Sequence, residues 1–198
     1  MFLSFFVLGL GGKEMNMYYA TEHLVLKVLP AYYHHQVLDF YIENKEHLEQ
    51  WEAKREKNFY TPGYQKALLE AEFNCIAKGS MIRYYVFLKE NPERIIGSAS
   101  ITNIQKGVFQ NGTIGYKIHK EYCNRGFGKE LVEKVKEIVF EECRLHKIEA
   151  LVHPDNHPSI ALLEATGFQR EGLSREAAFL NEKWQDMYRY GCVREVSG

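Results

Sequence analysis

Two glycines stand where a strand-like segment passes into an amphipathic helix, and they are the first sign of chemistry in this sequence. The segment Thr113–Gly128 begins as an apolar strand and ends in the letters R-G-F-G at positions 125–128. The first N–H groups of a helix have no partner within the helix, and the helix dipole places partial positive charge there. Because glycine has no Cβ, a bulky anion can approach these amides closely. The pattern therefore predicts a phosphate-binding loop.

Two common nucleotide-binding motifs do not fit this loop. A dinucleotide fold places G-x-G-x-x-G directly after its first strand, whereas Gly126 and Gly128 follow several predicted strands. A P-loop ends in Gly-Lys followed by Ser or Thr, but Glu130 follows Gly128 and Lys129 here. The hydroxyl that would hold magnesium is missing, so the phosphate-bearing ligand must be of another kind.

The segments that position the loop indicate an α+β domain. Short turns connect three predicted strands into a meander, and helices precede and follow it. The helices are predicted at Ala31 to about Arg55, Tyr64 to about Lys78, Gly126–Leu145 and Ile160–Thr166, and the turn between the first two meander strands at Asn91–Arg94. The strands are predicted at Leu24–Leu29, Arg83–Lys89, Ile95–Ile104, Thr113–Ile118, Lys147–His153, Phe168–Arg170, Ser174–Leu180 and Trp184–Val193.

An ordered series of local patterns resembles the GNAT superfamily of N-acetyltransferases. The loop is similar to their pyrophosphate loop, Gln/Arg-x-x-Gly-x-Gly/Ala, although Cys123 stands at its first position. The resemblance covers about Leu24–Val193 and is closest to the branch that acetylates the N-termini of ribosomal proteins. The patterns that carry it are E-N-K-E-H-L from Glu43, Trp51-Glu52, Ile95-Ile96-Gly97, Gly115-Tyr116, Asn156-x-x-Ser159, Leu163-x-x-x-Gly167-Phe168-x-x-Glu171-Gly172 and Asn181-x-x-Trp184-x-Asp186.

This resemblance implies a fold and a place for acetyl-CoA. The GNAT fold is a mixed, mostly antiparallel sheet of about seven strands flanked by about four helices. Acetyl-CoA would lie between the fourth and fifth strands, Thr113–Ile118 and Lys147–His153, which splay apart in this family. Loop amides would hold the pyrophosphate, and an amide near 116–118 would polarise the thioester oxygen. The implied cofactor-binding residues are Tyr116, Lys117, Ile118, Asn124, Arg125, Gly126, Phe127, Gly128, Lys129 and Asn156.

The implied reaction is direct attack of a neutral amine on the thioester. One group must remove a proton from the amine, and another can return a proton to the departing thiolate. The acid suggested for the closest branch matches Ser159, whose alternative role is to cap a helix. The branch's glutamate base falls on Ala178, so we take Glu176, two residues earlier and on the same strand face, as the substitute. Otherwise Glu176 is a surface acid.

The acceptor is open to three interpretations at this stage. We expect the N-terminal amine of a protein, in particular a ribosomal protein, in a groove between the first two helices and the closing hairpin. A small-molecule amine such as a polyamine, amino acid or antibiotic is the alternative. An acyl-CoA-binding module without turnover is the third, favoured by Cys123 and Ala178. Because helix N-termini lower thiol pKa values, Cys123 is also expected to be reactive.

Composition restricts the class of protein. The chain has 198 residues, 45% of them hydrophobic, and a formal net charge of −1. That length can bury a core without disulfides, and the charge predicts no nucleic-acid or membrane partner. Four dispersed cysteines without C-x-x-C predict reduced thiols in the cytoplasm. The histidines lack metal-ligand spacing, so we expect no metal.

The predicted domain spans residues 17–198, after an N-terminal extension, 1–16, of unknown role. The apolar start Met1–Gly12 is too short to cross a bilayer, and it lacks the basic residues and cleavage site of a signal peptide. It is expected to be an extension or an added strand, or the result of an overlong start assignment. We expect a monomer or homodimer.

Overall fold

The computed structural model describes residues 6–8 and 14–195 of the chain. Its helices are α1 (His34–Glu43), α2 (Lys45–Glu49), α3 (Pro62–Ala77), α4 (Phe127–Glu137) and α5 (His157–Ala165). Its strands are β1 (Phe6–Leu8), β2 (Glu14–Asn16), β3 (Tyr18–Ala20), β4 (Leu24–Lys27), β5 (Ile82–Leu88), β6 (Asn91–Gln105), β7 (Asn111–Ile118), β8 (Lys147–Val152), β9 (Gln169–Leu180) and β10 (Lys183–Val193).

Eight of these strands form one sheet in the order β3-β4-β5-β6-β7-β8-β10-β9. Every pair in it is antiparallel except β7 with β8, which run parallel. The predicted mixed, mostly antiparallel α+β fold is confirmed, with β3 added to the seven expected strands. Part of the predicted extension, 1–16, lies outside the described residues, and within it β1 pairs with β2.

Alternating side chains of the sheet pack against helices on both faces. Tyr84 and Val86 belong to the core beneath α4, whereas Tyr85 and Phe87 belong to the core beneath α1 and α3. This is the two-residue period of a strand buried on both sides. Each large apolar side chain fully buried in this way stabilises the fold by about 1.5–3 kcal/mol. The sheet is therefore the fixed frame of the molecule.

The predicted single helix from Ala31 to Arg55 is wrong. The chain forms a 3₁₀ turn at Ala31–Tyr33, then α1 and α2, with Asn44 between the two helices. The fully buried Asn44 side chain donates to the Phe40 carbonyl at 2.8 Å. Asparagine competes with helical backbone bonding in this manner, so a helix break at Asn44 has a physical cause.

Three further boundaries differ from the prediction. The turn expected at Asn91–Arg94 lies two residues earlier, since Leu88 already pairs with Asn91. The long helix is α-helical to Glu137 and continues as a π-turn at Ile138–Glu142. Helix α3 starts at Pro62 because Thr61 caps it by accepting the Tyr64 N–H.

None of the helices described in the structure is long and apolar enough to cross a membrane. Within residues 6–8 and 14–195, no group of three or more His, Cys, Asp or Glu side chains could hold a metal ion.

Candidate active site

A cleft of about 310 Å³ opens where β7 and β8 separate. The two strands pair only from Asn111 with Lys147 to Thr113 with Glu149. Beyond this point they are not paired with each other, which leaves backbone groups free for a ligand. The residues that line the cleft are His47, Leu48, Trp51, Glu52, Tyr116, Lys117, Ile118, Tyr122, Cys123, Asn124, Gly126, Gly128, Lys129, Asn156, Pro158, Ser159 and Leu162.

The predicted loop forms one end of this cleft. Gly126 precedes α4 with φ +85°, and Asn124 has φ +60°. Left-handed residues at these two positions turn successive N–H groups toward one side, as in an anion-binding nest. Gly128 is needed for close packing, because a Cβ there would lie 3.1 Å from a Leu162 methyl carbon. The loop thus has both the free amides and the open space that a phosphate requires.

Residues of the E-N pattern hold the strand end that leads into the loop. The Asn44 Oδ1 accepts the Lys120 N–H at 2.9 Å. His119 is fully buried and its Nε2 lies 2.9 Å from a Glu43 carboxylate oxygen. A hydrogen bond from Arg94 is the main reason why the pKa of Glu43 lies below its ordinary value. These side chains position the loop without lining the cleft.

Cys123 does not have the environment of a reactive thiolate. Its Sγ lies 3.6 Å from the His119 carbonyl oxygen and 3.7 Å from His47 Nε2. Burial raises the pKa of the thiol. The expected lowering by the helix N-terminus is therefore wrong, because desolvation disfavours the thiolate and the thiol donates to backbone oxygen.

Two hydroxyl groups meet in the cleft. Tyr116 Oη lies 2.8 Å from Ser159 Oγ, and burial raises the pKa of Tyr116 to about 12. The side chain of Asn156, not Ser159, caps α5 by accepting the Ser159 N–H at 3.2 Å. The alternative in which Ser159 serves only as a helix cap is wrong. Its hydroxyl is instead directed at Tyr116.

Lys117, the residue of β7 that follows Tyr116, points to the opposite face of the sheet. Lys117 contacts the carboxylate of Glu52, which also pairs with Arg55. The Arg55 guanidinium lies over the rings of Tyr41 and Phe59, 4.6 and 4.1 Å from their centroids. Burial alone would raise the pKa of Glu52, but the two cations hold it below the ordinary value. A fixed, ionised carboxylate thus lies inside the cleft.

Trp51 lies on the same side of the cleft as Glu52. It lines the cleft, and its ring packs 5.8 Å from the ring of His153 at the end of β8. The His153 Nε2 in turn lies 3.5 Å from Gln185 of β10. The segment after α2, the end of β8 and the closing hairpin therefore converge around the opening of the cleft.

The structure does not bring Glu176 to the cleft lining. The strand register jumps between the pairs Ala178–Gln185 and Ser174–Met187, and Glu176 lies in this bulge with φ +48°. Its backbone N–H donates to Asp186 at 2.8 Å. The two-residue period that placed Glu176 on the face of Ala178 is interrupted, so the argument for Glu176 as the base loses its geometric support.

Most of the predicted cofactor-binding residues do line the cleft. Arg125 and Phe127 do not: the Arg125 guanidinium lies 5.3 Å from the Tyr122 ring centroid, and Phe127 packs against the core beneath α4. Sequence reasoning missed Glu52 and His47 as cleft residues. Both lie in the E-N-K-E-H-L and Trp51-Glu52 patterns that carried the resemblance, which is the signal that could have found them.

The sequence matches a known protein family and several of its members. The model of the acetyltransferase (GNAT) domain family matches residues 26–169. The probable N-acetyltransferase YjcK of Bacillus subtilis is 32% identical over 144 residues, which cover 73% of this chain and 79% of that protein.

Two solved structures are similar over most of the chain. The ribosomal-protein-S5-alanine acetyltransferase of Vibrio fischeri superposes with TM-score 0.84 at 27% identity, covering 89% of this chain and 96% of that one. Mycobacterium smegmatis RimJ in complex with CoA-disulfide has TM-score 0.81 at 22% identity, covering 86% and 81%. The chain therefore belongs to the GNAT acetyltransferase family and is an N-acetyltransferase of that type.

Proposed function

We propose that this GNAT-family enzyme takes its acetyl group from acetyl-CoA and transfers it to the N-terminal amine of a protein, such as a ribosomal protein. The observation that carries the proposal is the cleft itself. It joins a glycine-bearing helix start to the edge of β7 that is not paired with β8 and to the Tyr116–Ser159 hydroxyl pair. Phosphate, thioester and leaving group would each find a suitable partner along this one path.

The donor would lie with its pyrophosphate on the amides of residues 124–129. Lys129 lines this end of the cleft and would add positive charge. The pantetheine arm would run along the unpaired edge of β7 beyond Thr113. A free amide of residues 116–118 would then donate to the thioester oxygen as negative charge develops on it. The CoA-disulfide bound to Mycobacterium smegmatis RimJ, a chain with the same fold, supports a CoA donor.

The hydroxyl pair would assist departure of the thiolate. Ser159 would donate to the CoA sulfur, and Tyr116 would donate in turn to Ser159 at 2.8 Å. The pKa of Tyr116, about 12, keeps a proton available at neutral pH. The amine would lose its proton through solvent at the mouth of the cleft, since Glu176 does not line it.

The acceptor would approach from the face opposite the loop and α4. Trp51 and Glu52 line the cleft on that side, and His153 and Gln185 lie beside Trp51. The aromatic ring of Trp51 suits a cationic amine. The Vibrio fischeri relative, which acetylates an alanine of ribosomal protein S5 according to its name, supports a protein N-terminus.

Thiol release from acetyl-CoA tests the proposal. We expect turnover with peptides that begin with Ala or Ser, and none with the same peptides blocked at the N-terminus. Turnover on a panel of polyamines, amino acids and aminoglycosides, with none on peptides, would assign the enzyme to small amines instead. Absence of acetyl-CoA binding in calorimetry would overturn the donor assignment itself.

A further inference from the structure

A primary amine of the protein lies inside its own cleft. Lys117 lines the cleft, and its side chain is only 18% exposed. It adjoins Tyr116 on the part of β7 that is not paired with β8, the segment proposed above to hold the thioester. Lys129, the other lysine in the lining, lies by contrast on the first turn of α4 at the loop end. Lys117 is therefore the lysine placed closest along the chain to the reacting end of the donor.

The carboxylate of Glu52 controls this amine. An ammonium group has no lone pair and cannot attack a thioester, and the contact holds the Lys117 Nζ against the Glu52 carboxylate, so the amine must leave Glu52 before it can reach a donor. Glu52 is held in place independently of Lys117, because it also pairs with Arg55, whose guanidinium is stacked on Tyr41 and Phe59. The ion pair between Lys117 and Glu52 is thus a restraint on a nucleophile.

We propose that Lys117 is a self-acetylation site whose reactivity is suppressed by its ion pair with Glu52. The proposal rests on the proposed function, because it requires acetyl-CoA in the cleft. In the step, Lys117 first releases a proton to solvent and its Nζ attacks the thioester carbonyl carbon. A C–N bond forms, the C–S bond breaks, and the thiolate leaves with the second proton of the amine. The products are Nζ-acetyl-Lys117 and CoA.

Acetylation would change the site in a defined way. The neutral amide of acetyl-Lys117 cannot balance the charge of Glu52, which would keep Arg55 as its cationic partner. The acetyl group would also occupy space on the face from which the acceptor is proposed to enter. Modified enzyme should therefore turn over acceptors more slowly while it still binds CoA at the loop.

Peptide mass spectrometry after incubation with acetyl-CoA tests the proposal. The variant E52Q should acquire acetyl at Lys117 roughly tenfold faster or more than the wild-type protein, since loss of the charge-assisted hydrogen bond to Glu52 releases the Lys117 Nζ by about that factor. The matched control is E49Q, whose carboxylate accepts from Tyr60 and does not line the cleft. It should behave like the wild type. K117R should show no acetylation at this position.

In E52Q, Lys117 and Arg55 lose the carboxylate that they share, and their repulsion could disturb the fold. The double variant E52Q/R55Q removes this repulsion and provides a second measurement. It should again acetylate Lys117 faster than the wild type. Excess CoA should prevent acetylation of Lys117 in every variant, but not the slow background on exposed Lys66.

The outcomes separate this proposal from the proposed function. If E52Q and the double variant bind acetyl-CoA but Lys117 is modified no faster than Lys66, self-acetylation is refuted and the donor assignment stands. If neither they nor the wild-type protein bind acetyl-CoA, the proposed function fails first.

Discussion

The phosphate-binding role of the loop can be separated from its conformational strain by comparing two glycines. Gly126 has φ +85° and Gly107, in the loop between β6 and β7, has φ +70°. A Cβ added at either position would meet no heavy atom within 4 Å. Substitution by alanine should therefore cost only the left-handed conformation, about 1–2 kcal/mol of unfolding free energy at each site.

Only Gly126 should affect the donor. In Gly126→Ala the added methyl group occupies space in the cleft, and we expect the loss of one amide–phosphate hydrogen bond. Such a bond to a charged group contributes about 1.5–3 kcal/mol, which corresponds to a roughly ten- to hundredfold weaker Kd for acetyl-CoA. Gly107 does not line the cleft, although its backbone conformation is similar. Gly107→Ala should therefore bind acetyl-CoA like the wild type.

Urea unfolding and titration calorimetry on both variants measure the two effects. Equal loss of stability with a weaker Kd in Gly126→Ala alone supports the loop as the pyrophosphate site. If both variants lose stability but bind acetyl-CoA with the same Kd as the wild type, the reasoning about this loop is wrong.

Four further predictions follow from the site and the core. Ser159→Ala should lower kcat by roughly 10²–10⁴ with little change in acetyl-CoA affinity, and an unchanged kcat would remove the acid. Glu176→Gln should keep the wild-type kcat, because Glu176 does not line the cleft; a large loss would restore it as the base. Glu72→Ala leaves the buried guanidinium of Arg83 unpaired, and urea unfolding should show about 3–5 kcal/mol less stability. Burial is the main cause that lowers the pKa of His47, so the unfolded chain binds a proton at His47 more readily than the folded protein does. The free energy of unfolding should therefore decrease as pH falls below about 6.5, the ordinary histidine value, and His47→Gln should show a smaller decrease in urea titrations.

Local signals were sufficient for the donor half of the site. A glycine before a helix, a strand of apolar residues and an Asn-x-x-Ser helix start are each encoded within a few neighbouring residues. These signals predicted the loop at Gly126, and the family resemblance implied that Asn156 and Ser159 lie near it; the structure brings all three to the cleft. Short turns predicted the meander of three strands, which the structure confirms as β5-β6-β7.

Two side-chain contacts in the site join residues that are far apart in the sequence. Lys117 meets Glu52 across 65 positions, and Tyr116 meets Ser159 across 43. No periodicity encodes such pairs. The bulge at Glu176 was missed for a related reason: a positive φ at a glutamate has no sequence signal, and neither has the insertion of two extra residues of β9 between the pairs Ser174–Met187 and Ala178–Gln185.

Tyr116 and Lys117, which are adjacent in β7, contact different parts of the site on opposite faces of the sheet. Tyr116 points toward α5 and meets Ser159, the proposed acid, whereas Lys117 points toward Glu52 on the proposed acceptor side. Because β7 is paired with β6 but not with β8 beyond Thr113, the backbone edge that faces β8 is free for the thioester. Because successive side chains of a strand point to opposite faces, Tyr116 lies on the side of the departing thiolate and Lys117 on the side of the attacking amine. It follows that substitutions at Ser159 should act on kcat, whereas those at Glu52 should act on which amines, including Lys117, can react.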